Sequence, residues 1–227
     1  MTTIADRLQQ VHQRIAQASA QAGRDAASVR LLAVSKTCSP DAIRQAYQAG
    51  QSAFGENYIQ EGVEKIATLA ELPLEWHCIG PIQSNKTRWV AEHFDWAHTI
   101  DRLKIAERLS TQRPSHKAPL QVCIQVNVDG GSNKSGVAPS EALALAQAVT
   151  ALPGLRLRGI MAIPEPAPDF ASACALHRQV RKVYDSMCAQ GLPLDTLSTG
   201  MSADLEAAIA EGSTLVRVGT AIFGARG

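Results

Sequence analysis

Strand and helix signals alternate eight times along this chain, and no other feature constrains its fold as tightly. Short runs rich in aliphatic and β-branched residues predict strands at 31–35, 53–55, 76–80, 96–100, 122–127, 157–163, 196–200 and 215–223. Apolar residues at helical spacing predict helices between them, at 40–49, 58–70, 86–93, 103–112, 140–151, 170–190 and 203–211. Such alternation argues for a parallel sheet. The pattern leaves two architectures standing, an open doubly wound sheet and a closed (β/α)8 barrel. The first strand–helix turn reads SKTCSP, not G-x-G-x-x-G, which removes the main dinucleotide-binding signal of the open sheet.

The chain stops soon after the eighth strand, with AIFGARG, so no eighth helix is expected there. A helix at about 3–22 precedes the first strand and would fill the gap in the ring. Ile4, Leu8, Val11, Ile15 and Ala18 give it an apolar face, and Gly23 is a natural stop. With that helix the pattern fits an α/β fold with residues 1–227 as one domain, a single TIM-type (β/α)8 barrel completed by an N-terminal helix, while the open sheet stays the alternative. The segment PEPAPD at 164–169 is too short to divide domains.

Composition narrows the function. With 22 basic and 21 acidic residues the formal net charge is +1, and no excess argues for a nucleic-acid or membrane partner. No apolar run is long enough to cross a bilayer, and the N-terminus has no signal-peptide core. The five cysteines, Cys38, Cys78, Cys123, Cys174 and Cys188, form no C-x-x-C pair, which predicts free thiols in a reducing cytosol. The six histidines are scattered, so no metal site is expected.

In a barrel of this kind chemistry sits at the C-terminal ends of the strands. The first strand ends on Lys36. A lysine there is either a solvated strand cap or, in a partly desolvated pocket, an amine nucleophile for an aldehyde. Glu56 and Asn57 follow the second strand, and His77 lies on the third, ahead of Gly80-Pro81. Asn127 and the loop GGSNKSG, with Lys134, follow the fifth strand, and Met161 ends the sixth. That loop lacks P-loop spacing. After strand seven comes STGMSAD, and strand eight carries VRVGT. Gly200 and Gly219 would let backbone N–H groups approach an anion. Ser202, expected to begin a helix, and Thr220 add hydroxyls. If Val216 and Val218 face the helices, Arg217 faces the barrel interior. It is there either as a core arginine paired with an acid such as Glu165 or Asp204, or as a donor to a ligand. His77 is either a satisfied barrel residue or a ligand contact, and Cys38 is read as a bystander.

The motifs LLAVSKT, FGENYIQE, WHCIGPIQSNK, NKSG, LSTGMSADLEAAI and GSTLVRVGTAIFGAR together resemble the pyridoxal 5′-phosphate homeostasis proteins (the YggS/PROSC type), in order and over nearly the whole chain. That family's barrel is similar to the N-terminal domain of the alanine racemases. The resemblance implies that Lys36 carries pyridoxal 5′-phosphate (PLP) as a covalent Schiff base. It implies that Ser202, Gly219 and Thr220 hold the phosphate, that Arg217 faces the pyridine nitrogen, and that Asn57, His77 and Met201 line the cofactor. It further implies a non-catalytic carrier for vitamin B6 homeostasis, monomeric and cytoplasmic, with PLP-dependent apoenzymes as recipients. The alternative is a small PLP-dependent amino-acid racemase or related enzyme. Racemases add a second β domain and a catalytic tyrosine from the partner subunit. Here the tyrosines, Tyr47, Tyr58 and Tyr184, all fall in expected helices.

Overall fold

The computed structural model describes residues 2–130 and 135–224. Lys134 and most of the GGSNKSG loop fall outside the described residues. Eight strands, β1 (Arg30–Val34), β2 (Ala53–Glu56), β3 (Glu75–Cys78), β4 (Trp96–Ile100), β5 (Leu120–Gln125), β6 (Leu155–Met161), β7 (Thr196–Ser198) and β8 (Leu215–Val218), close into one barrel in sequence order. Every neighbouring pair is parallel, and β1 closes on β8 with Leu32 opposite Arg217. This is the closed alternative, not the open sheet.

The intervening helices are α2 (Pro40–Gln48), α3 (Ile59–Thr68), α4 (Thr87–His93), α5 (Leu103–Gln112), α6 (Pro139–Thr150), α7 (Phe170–Ala189) and α8 (Leu205–Ala210). The leading helix α1 (Ile4–Gln21) starts on a capping box, in which Thr3 and Asp6 bond each other's backbone N–H. It buries Leu8, Val11, Ile15 and Ala18 and packs against α8, completing the ring as expected.

The strand predicted to run to residue 223 ends earlier. Gly219 turns the chain into α9, one turn of helix at Thr220–Phe223, stopped by Gly224 at φ +90°. The Ile222 and Phe223 N–H groups both donate to the Gly219 carbonyl. A three-residue apolar run reads the same in either conformation, and packing decides: Ile222 is buried and α9 lies on α1.

Two apolar layers position the site. Val216 and Val218 join the large cluster between sheet and helices. Inside the barrel lie a small cluster of Leu32, Val34, Ala53, Ile79 and Leu215, another of Trp96, Cys123 and Met161, and a set of buried polar side chains. Arg217 is among the latter, as its alternation with the valines requires.

Candidate functional site

Lys36 leaves the barrel at the top of β1. The Ser35 N–H still donates to Gly55 of β2, at 3.0 Å, and the Cys38 N–H turns back onto the Ser35 carbonyl. The chain therefore bends sharply at Lys36-Thr37. On the far wall, β7 runs into Gly200, whose φ is +94° and where a Cβ would fall 2.4 Å from the Ala208 Cβ, which leaves no room for a side chain. Ser202 does not begin a helix, as its hydroxyl was expected to do. It lies in a turn at 202–204 before α8.

That turn is braced from three directions. The Met201 N–H donates to Asp204 Oδ1 at 2.6 Å, His177 Nε2 bonds Asp204 Oδ2 at 3.0 Å, and Arg14 from α1 donates to the Ser202 carbonyl at 3.0 Å. Burial raises the Asp204 pKa, but the His177 and Met201 hydrogen bonds outweigh it and hold the carboxyl below its ordinary value.

These elements enclose a cavity of about 440 Å³, within the usual range for a small-molecule or cofactor site. Lys36, Asn57, Met201, Ser202, Arg217, Gly219 and Thr220 all line it. The sequence places these residues far apart, and the barrel closure gathers them. Asn57 also borders a neighbouring cavity of about 210 Å³, which Asn127 lines too. Gly80 presses Asn57 into place, since a Cβ there would fall 2.0 Å from the Asn57 carbonyl oxygen. The Asn57 Oδ1 is buried with no hydrogen-bond partner.

His77 is the exception to the expected set. It does not line the cavity; it lies inside the barrel, with both ring nitrogens engaged. Glu75 Oε1 sits 2.7 Å from Nε2, and His98 Nε2 sits 2.9 Å from Nδ1. His98 Nδ1 in turn meets Ser198 Oγ at 3.0 Å, and Arg217 Nη1 donates to that same oxygen at 2.7 Å. One polarity satisfies the whole chain. Burial works against ionisation of Glu75, but the His77 hydrogen bond and the Arg30 guanidinium hold its carboxyl below the usual carboxylate range. An ionised carboxylate only accepts, so His77 Nε2 carries the hydrogen. Burial lowers the pKa of both histidines and keeps them neutral, so His77 Nδ1 accepts from His98 and His98 Nδ1 accepts from Ser198. Ser198 Oγ is then free to accept from Arg217.

Arg217 is held further by the Ser198 and Ala162 carbonyls, at 2.7 and 2.9 Å. Neither Glu165 nor Asp204 is its hydrogen-bond partner, the pairing weighed from sequence; its hydrogen bonds go to oxygens of β7 and of the chain just past β6. Burial depresses its pKa to about 10, which still leaves it protonated at neutral pH. His98 and His177 carried no sequence motif of their own, and Ser198 lay in STGMSAD without a role assigned to it. The alternation within β4 and β7 was the only signal that set His98 and Ser198 inside the barrel. Among the described residues no cluster of metal-ligating side chains exists.

The alanine racemase N-terminal domain family matches residues 7–227. The pyridoxal phosphate homeostasis protein of Pseudomonas aeruginosa is 58% identical over 226 residues, spanning 100% of this chain and 97% of its own. The Escherichia coli (strain K12) protein of the same name is 53% identical over 229 residues, 100% of this chain and 98% of its own. The chain belongs to the pyridoxal phosphate homeostasis protein family. Among solved structures, PipY of Synechococcus elongatus PCC7942 with PLP bound is 39% identical at a TM-score of 0.84, covering 98% of this chain and 100% of that one. An alanine racemase of Clostridium difficile 630 shares the fold at 15% identity and a TM-score of 0.74, with 57% of its length covered.

Proposed function

We propose that this cavity holds PLP on Lys36 and that the chain serves intracellular PLP homeostasis as a carrier, without turnover. The observation that carries this reading is one cavity lined by a lysine amine, a buried arginine and a cup of hydroxyls and glycine. When bound, PLP supplies an aldehyde that condenses with a lysine amine and a phosphate that accepts N–H and O–H donors. The residues present fit that group. Lys36 at the end of β1 is the amine. Ser202 in its braced turn and Gly219-Thr220 at the start of α9 face the same space and supply the phosphate donors. Asn57 adds a polar group whose buried oxygen still lacks a partner. Arg217 has donors only, so a ring nitrogen opposite it must accept and stays unprotonated.

The relatives' name and the PLP in PipY support the same reading. A single functional domain, a monomeric state, PLP-dependent apoenzymes as recipients and a cytoplasmic setting belong to this proposal. All five cysteines are free, which fits a reducing compartment.

The test is attachment. With PLP, the protein should show the visible absorption of a lysine Schiff base and trap a borohydride adduct that maps to Lys36. Lys36→Ala should lose both, while retaining weaker binding through the phosphate contacts. An adduct that maps only to another lysine, Lys134 for instance, would show the assignment to be wrong. The cup has its own test. Losing one charge-assisted hydrogen bond costs about 1.5–3 kcal/mol, so Ser202→Ala should weaken PLP binding by about tenfold or more. Pyridoxal, which lacks the phosphate, should bind more weakly still. Equal affinity for pyridoxal and its phosphate would refute the cup.

A further inference from the structure

Thr37 is the only non-glycine residue with positive φ among the described residues, at +63°. A β-branched side chain is disfavoured there, because its Cβ crowds the following carbonyl. Such strain persists only where the surroundings over-determine it. Here it sits one residue past the lysine that lines the cavity.

The surroundings are three side chains that reach Ser35 and Thr37 from the neighbouring β2–α3 unit. The Thr37 N–H donates to Glu61 Oε1 at 2.6 Å. Lys65, one helical turn further along α3, donates to that same Glu61 oxygen at 2.5 Å, to Glu56 Oε1 at 2.9 Å and to the Ser35 carbonyl at 2.7 Å. The Ser35 hydroxyl donates to Glu56 Oε1 at 2.6 Å. The residues before and after Lys36 are thus both tied to the β2–α3 unit. Lys65 is almost wholly buried, and its ammonium is what joins the two ties.

We propose that Glu61 is a positioning residue for Lys36. Its carboxylate holds Thr37 in the left-handed conformation that aims the lysine into the cavity, and the buried Lys65 holds Glu61. The proposal rests on the reading of Lys36 as the attachment point. It assigns Glu61 no contact with the cofactor, since Glu61 does not line the cavity. Its effect must therefore fall on the lysine linkage and spare the phosphate cup.

Two ligands separate those contributions. PLP uses both the amine and the cup. Pyridoxine 5′-phosphate carries an alcohol where PLP carries the aldehyde, so it uses the cup alone. Glu61→Ala should lower PLP affinity by about tenfold, the equilibrium equivalent of one left-handed residue's strain. It should leave pyridoxine 5′-phosphate affinity within about twofold, a shift that size being well under the value of one hydrogen bond. Adding Thr37→Gly to Glu61→Ala should restore PLP affinity, because glycine adopts positive φ without that strain. In the cofactor-free protein the Thr37 amide should exchange its hydrogen slowly, and faster in Glu61→Ala. Should that variant fail to fold, Glu61→Gln carries the test. Its neutral acceptor is weaker, so Thr37 exchange should quicken and PLP affinity alone should fall, by less. Equal losses for the two ligands, no loss for either, or no rescue by Thr37→Gly would overturn the proposal. If the unaltered protein traps no adduct on Lys36, the functional reading falls with it. If that adduct forms and the affinity ratio does not move in Glu61→Ala, only the positioning role falls.

Discussion

Replacing Lys65 with methionine should destabilise the folded protein by about 3–5 kcal/mol at neutral pH, the usual cost of leaving one member of a buried ion pair unpaired. Glu56 is fully buried, and its Oε1 takes hydrogen bonds from Ser35 and Lys65 while its Oε2 has no partner. Burial raises the Glu56 pKa; the Lys65 charge and the two hydrogen bonds only partly oppose that. The sign of the pH dependence follows. An acid whose folded pKa is raised binds its proton more tightly when folded. Its contribution is therefore fully present below the unfolded pKa and is lost as pH rises through the folded value. Removing Lys65 takes away the main opposing charge, raises the folded pKa further and extends that loss to higher pH. Urea unfolding at a series of pH values should show Lys65→Met close to the parent in acid and far below it at neutral pH. Adding Glu56→Gln should recover much of the difference at neutral pH, because the amide carries no charge to desolvate. A neutral-pH loss under about 1 kcal/mol would mean that the pair is solvated and does not hold the top of β1.

Lys65 also marks a limit of sequence reading. A lysine four residues after a glutamate on a helix reads as an exposed pair, the commonest such arrangement. The clue was positional. Ile59, Gly62 and Lys65 are the buried residues of α3, at a spacing that puts all three on one face. Periodicity identified the parallel strand–helix order, because each strand is buried on both sides and each helix on one, but it left the open sheet and the barrel both standing until the closure of β1 on β8 decided between them. It placed Arg217 correctly for the same reason, since its valine neighbours had to face the helices. Periodicity carries no depth along the barrel axis, however. His77 was placed on the third strand and weighed as a ligand contact, but the register puts it level with Gly55 and Val34, two residues before Lys36. Its ring therefore meets Glu75 and His98 and reaches Arg217 only through Ser198. Thr37 was illegible for another reason. A left-handed threonine violates local preference, and only the tertiary partners Glu61 and Lys65 make it stable.

Amino acids offered to the PLP-loaded protein should not racemise at an enzymatic rate. Racemisation needs an acid–base group on each face of the α-carbon. Of the described side chains that line the cavity, Lys36 alone can act as a base near neutral pH; Arg217 stays protonated, and Asn57, Met201, Ser202 and Thr220 are not bases. None of the three tyrosines lines it, and Tyr184 donates its hydroxyl to the Leu194 carbonyl at 2.9 Å. One positioned acid–base group contributes about 10²–10⁴-fold, so a site that has one and lacks the other is slow by that factor. Arg217 adds to the deficit. It cannot accept a proton from the ring nitrogen or give one up at a pKa of about 10, so negative charge that develops at the α-carbon gains little from the ring. The measurement is formation of the D-enantiomer from L-alanine and L-serine, with Lys36→Ala as the control. The expected result is racemisation far below about 1 s⁻¹, the lower end of ordinary enzymatic turnover. Racemisation at about 1–10³ s⁻¹ that disappears with Lys36 would make this chain an enzyme, with its second acid–base group outside the described residues that line the cavity.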